Sequence, residues 1–139
     1  MNSFAIWFIL IAILILAVVG ILYSAFARAT PKLNVTRFRT QWLAIENSFS
    51  KSNPASWHVA IFNADKLVDK ALRESRYKGE TMGERMKSAQ DAWSHPNHIW
   101  GAHKIRNRLA HDTEVKLSHD LALRALSAYK QALKDLGAI

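Results

Sequence analysis

Apolar positions run almost unbroken at the start of the chain and then recur with helical spacing to its end. From Phe4 to Ala27 the stretch FAIWFILIAILILAVVGILYSAFA holds no ionisable side chain except Tyr23. It exceeds the roughly 20 apolar residues that cross a bilayer as a helix. Trp7 and Tyr23, near its two ends, suit the two membrane interfaces. Ala25 to Ala27 could pass for a signal-peptide cleavage site. Against that reading, a basic segment before the run is missing, and the run outlasts the roughly 7 to 15 apolar residues of a signal sequence. The pattern predicts a membrane anchor over residues 1–29, its short N-terminus outside.

Beyond residue 30 the pattern changes to amphipathic stripes. Thr30-Pro31 punctuates the exit from the anchor, and Pro31 suits the first turn of a new helix. Val35, Phe38, Trp42, Ile45 and Phe49 recur at alternating spacings of three and four, one apolar helix face. Asn53 can cap a second helix that opens on Pro54, with Trp57, Ile61, Ala64, Leu67, Val68, Ala71 and Leu72 along its core side. YKGET reads as a loop. Thr81 and Glu84 make a capping box for a short third helix running through Met82, Met86, Ala89 and Trp93. SHPNH interrupts, a fourth helix covers about Asn97 to His111, and Ser118 caps a fifth that ends at Gly137. No segment alternates as a strand does. The expected fold is all-α, a membrane helix followed over residues 30–139 by a bundle of about five helices, with Trp42, Trp57, Trp93 and Trp100 in its core.

Charge adds orientation and partner class. All 19 Lys and Arg lie at Arg28 or later, and the net charge is +8. Arg28, Lys32, Arg37 and Arg39 follow the apolar run directly, so the positive-inside rule places the C-terminal domain in the cytoplasm of a single-pass membrane protein. The chain has no cysteine, in keeping with a reducing compartment. A basic domain favours a polyanion: nucleic acid, or the anionic leaflet beside the anchor.

Candidate chemistry is concentrated in AHKIRNRLAHD, Ala102 to Asp112. At about 100° per residue His103, Arg106, Asn107 and His111 fall broadly on one side of the fourth helix, and Ala102, Ile105 and Leu109 on another. A solvated polar face would have the same pattern. His95, His98 and His103 do not make a convincing zinc set, because no cysteine and no suitably spaced carboxylate completes it. Gly-rich phosphate loops, nucleophile elbows and paired-carboxylate motifs are absent.

RNRLAH, Arg106 to His111, resembles the R-x4-6-H signature of HEPN domains, in which a polar residue, often Asn, follows the Arg and a His closes the motif. WGAHKIRNRLAHD and KLSHDLALRALSAYKQALKDLG resemble the last two helices of that fold, so the likeness covers Trp100 to Gly137; residues 32 to 95 share only helical architecture with it. The resemblance implies a homodimeric endoribonuclease that needs no metal or other cofactor, in which two motif helices meet and form a composite cleft with Arg106 and His111 catalytic. Asn107, and His103 and Arg108 by their place on the same helix, are the expected RNA contacts. Two classes remain beside it: a non-catalytic module that binds RNA, a nucleotide, an antitoxin or another partner protein, and a structural bundle whose basic face meets lipid.

Overall fold

The computed structural model describes residues 3–28, 31–112 and 114–139, which are helical and without strands. It comprises two compact units, residues 1–30 and 31–139. The first holds α1 (Ser3–Arg28), whose stretch Ser3–Ser24 is long and apolar enough to cross a membrane, with its side chains uncovered by protein. The second holds α2 (Val35–Ser48), α3 (Pro54–Glu74), α4 (Met82–Ser88), α5 (Pro96–His111) and α6 (His119–Asp135).

Local chemistry sets each boundary. Pro31 does not open α2, contrary to the expectation above. Asn34 caps it instead, its Oδ1 accepting the amide of Arg37 at 3.0 Å, a stronger start signal than a proline that merely tolerates the first turn. Asn53 accepts from the Ala55 amide and Pro54 begins α3. Thr81 and Glu84 close the capping box of α4. That helix stops at Ser88, short of the expected end, and a 3-10 turn over Gln90–Ala92 carries the chain on to Trp93. The buried Trp93 indole then donates to the Met86 carbonyl at 3.0 Å, which fastens the turn to the helix it leaves. Ser118 caps α6, and Gly137, at φ +68, ends it in the left-handed conformation that suits glycine.

α3 is the central helix, packing against α2, α4, α5 and α6. Its apolar face meets Phe38, Trp42 and Ile45 from α2, Met82 and Met86 from α4, Ile99 and Ala102 from α5, and the Ala-rich inner face of α6 in one core. Trp42, Trp57 and Trp93 are buried as expected, but Trp100 is 39% exposed. On α5 it precedes Ala102 by two positions, about 200° around the helix, so the turn that buries Ala102 leaves the indole outside. Lys130 on α6 reaches Glu46 on α2 at 2.5 Å, and that bond holds the Glu46 carboxyl below its ordinary range.

Arg85, buried on α4, ties the preceding loop to α3 by donating to Asp69 and to the Gly79 carbonyl, both at 2.7 Å. Gly79 sits at φ +149, and a Cβ there would lie 2.7 Å from the backbone nitrogen of Arg85. Gly79→Ala is therefore expected to destabilise the fold by about 1–3 kcal/mol, read as a lower unfolding midpoint by circular dichroism. An unchanged midpoint would show that the loop has room to move aside.

Candidate functional site

α5 is anchored by Ile99 and Ala102, with Ile105 and Leu109 also packed on the core. Its polar side chains are thereby turned in two directions. One direction faces α3. There Asp65, 4% exposed, occupies a core position of its helix, in register with Ile61, Val68 and Leu72. Three groups converge on its carboxylate. His103 Nδ1 lies 2.8 Å from Oδ1, the Tyr129 hydroxyl from α6 donates to the same oxygen at 3.0 Å, and Arg106 Nε is 3.2 Å from Oδ2. The last is an ion contact and not an aligned hydrogen bond.

The electrostatics of this cluster are self-consistent. An ionised carboxylate only accepts, so opposite one the short contact is made by a proton on His103 Nδ1, and in the neutral ring Nε2 is then the acceptor nitrogen. Burial and the neighbouring charge of Asp65 push the Tyr129 hydroxyl far above its ordinary pKa, which keeps it a donor. The Arg106 guanidinium also donates to Asn107 Oδ1 at 3.0 Å and lies over the Phe62 ring, 5.2 Å from its centre. Phe62 thus covers one face of the fork, while Asp65 from α3 and Asn107 from α5 restrain its nitrogens.

The other direction is open. Trp100, His103, Lys104, Asn107, Arg108 and His111 line a depression of about 690 Å³ on the uncovered side of α5. A second hollow, about 460 Å³, lies between α3, α4 and α5 and is lined by Asp65, Arg85, His103, Arg106 and Asn107 among others. His103 and Asn107 border both. The single face expected from the sequence is therefore divided: Arg106 borders the inner hollow, and Arg108 and His111 the outer depression. Arg106 and His111 are five positions apart, about 140° around a helix. His111, the last residue of α5, is exposed, and Asp112 beside it accepts the Glu114 amide at 2.9 Å.

Sequence reasoning missed Asp65, Tyr129 and Phe62. The signal for Asp65 was an acidic residue set into an apolar stripe, where a charge persists only with partners. Tyr129 is buried in the core, where its hydroxyl needs a partner, and Asp65 is that partner. His95 and His98 stack with ring centres 5.1 Å apart, while His103 is engaged by Asp65; among the described residues no group of three metal-ligating side chains converges.

No family model, curated protein or solved structure matches this chain.

Removing the shared carboxylate strands the His103 and Tyr129 donors and leaves the Arg106 charge without its counter-ion, whereas removing the tyrosine hydroxyl strands no donor. Asp65→Ala is expected to cost about 3–5 kcal/mol and Tyr129→Phe about 1.5–3 kcal/mol, both measured by denaturant unfolding of the full chain in detergent. A larger loss from Tyr129→Phe would show that Asp65 is not the hub.

Proposed function

We propose that this chain is a membrane-tethered, HEPN-like domain that binds RNA as a homodimer and cleaves it without a metal. Arg106 and His111 carry the chemistry, and Asn107, His103 and Arg108 hold the strand. The observation that carries this reading is the uncovered side of α5, where Asn107 and His111 of the R-x4-6-H resemblance border a depression with Lys104, Arg108 and Asp112, beside a braced Arg106.

The chemistry suits those residue types. Cleavage by the substrate's own 2′-hydroxyl requires loss of that proton, stabilisation of a phosphorane carrying added negative charge, and protonation of the departing 5′-oxygen. Imidazole exchanges protons near neutral pH. A guanidinium fork matches phosphate oxygens and strengthens its hold as charge develops, and restraint by Asp65, Asn107 and Phe62 lowers the cost of ordering it. Exposed Lys104 and Arg108 add sequence-independent attraction for the backbone. Lys130 contributes little to that attraction, because Glu46 pairs with it.

A second reading, a non-catalytic module for RNA, a nucleotide or a partner protein such as an antitoxin, draws support from Asp65. Its carboxylate offsets the charge of Arg106, whose side chain is 28% exposed. The two readings separate in one assay. The full-length chain in detergent, incubated with RNA and EDTA, is expected to leave 2′,3′-cyclic phosphate ends, and His111→Ala to slow cleavage by about a hundredfold or more. Binding without cleavage would establish the second reading, and cleavage by His111→Ala at the wild-type rate would exclude His111 from the chemistry.

The same proposal places the basic domain in the cytoplasm, because every Lys and Arg follows the apolar helix. A cytoplasm-dependent reporter fused after Ile139 is expected to be active. Activity of an export-dependent reporter at that position would reverse the orientation.

A further inference from the structure

We propose that His103 is the proton acceptor of this site, that Asp65 positions it, and that it works opposite His111 of a second copy. The inference rests on the endoribonuclease reading, whose composite two-copy site the resemblance already implies; what it adds is the assignment of acid and base to different residues and the role of Asp65.

His103 has what a general base needs. Its Nδ1 is held at 2.8 Å by a buried carboxylate, which fixes the ring and directs the unprotonated Nε2 away from that carboxylate; a carboxylate behind an imidazole performs this service in other proton-transfer sites. The ring borders the open depression, and its carboxylate is shared with Arg106, so the base and the phosphate-binding fork are fixed by one group. His111, by contrast, is exposed and engages no carboxylate among the described residues, as befits a group that delivers a proton at a surface reached by a second molecule.

One copy cannot complete the site. His103 and His111 are two helical turns apart, about 12 Å along the axis, whereas an acid and a base on one phosphate each need to come within about 3 Å of the reacting oxygens. Twofold pairing removes the difficulty. When two α5 helices meet antiparallel about an axis at Asn107, each residue faces the one equally far on the other side of that centre. His103 lies as far before Asn107 as His111 lies after it. The pairing therefore sets His103 of each copy beside His111 of the other, with Arg106 one position before the axis, and creates two equivalent sites. The bound strand supplies the negative charge that lets two basic faces approach, and a shared membrane raises their effective concentration.

Each step balances. The 2′-hydroxyl proton passes to Nε2 of His103 as the 2′-oxygen bonds to phosphorus. The bond from phosphorus to the 5′-oxygen breaks, and that oxygen takes the proton of a protonated His111 from the second copy. The products are a 2′,3′-cyclic phosphate and a 5′-hydroxyl, with Arg106 on the non-bridging oxygens.

His103→Asn makes the test specific, since its amide nitrogen takes the place of Nδ1 and keeps the bond to Asp65 while Nε2 is lost. Full-length His103→Asn and His111→Ala homodimers are each expected to cut RNA about a hundredfold more slowly than wild type. Coexpressed under separate tags, the two variants are expected to recover about a quarter of wild-type cleavage, because half the dimers are mixed and each has one intact site. Wild-type cleavage by His103→Asn, or no recovery on mixing two inactive variants, would overturn the inference and leave the endoribonuclease reading in place. Absence of cleavage by the wild-type chain would overturn both.

Discussion

A carboxylate buried in a helical core must be surrounded by donors, and Asp65 is the residue around which this domain is arranged. Stripped of water, its charge would oppose folding by several kcal/mol unless compensated. The compensation comes from Tyr129 on α6 and from His103 and Arg106 on α5, so one residue of α3 fixes the registers of two neighbouring helices. An apolar side chain at the same place would pack α3 as well and specify neither register. The polar cluster thus does structural work that the surrounding apolar contacts, which tolerate sliding, do not.

The same constraint shapes the candidate site. Turning His103 and Arg106 inward toward Asp65 uses one side of α5 and leaves the side with Lys104, Arg108 and His111 to solvent. Asn107, between the two sides, is hydrogen-bonded to Arg106 and borders both hollows. A polar helix with no internal partner on its outer side would be a loosely specified surface. Here the inner ion cluster fixes the rotation of α5, and with it the direction in which the outer residues point. Rigidity behind the site and exposure in front of it have one cause.

Much of this was legible in the sequence. The apolar run at the start, the Asn53-Pro54 and Thr81/Glu84 starts and the Ser118 cap and Gly137 end of α6 each depend on nearby residues, so pattern and structure coincide there. Pro31 and Trp93 were misjudged by a turn because capping by Asn34 and the indole bond to Met86 are contests between neighbouring signals of similar strength. Trp100 was misplaced because an aromatic residue at helical spacing is equally compatible with the core and with its rim. The division of the α5 face was not legible at all. Periodicity places Arg106 within the same broad polar arc as His111, and only the long-range partner, Asp65 on a helix remote in sequence, pulls it to the inner side.

The state of the His103 ring tests the central arrangement most directly. Long-range proton–nitrogen correlation spectra of the imidazole, recorded on the full chain in detergent at a pH where the ring is neutral, distinguish its two tautomers. With Asp65 behind it, the expected spectrum has the proton on Nδ1 and an unprotonated Nε2, and Asp65→Ala is expected to abolish that preference. A proton on Nε2 in the wild-type chain, or a tautomer indifferent to Asp65→Ala, would contradict the arrangement.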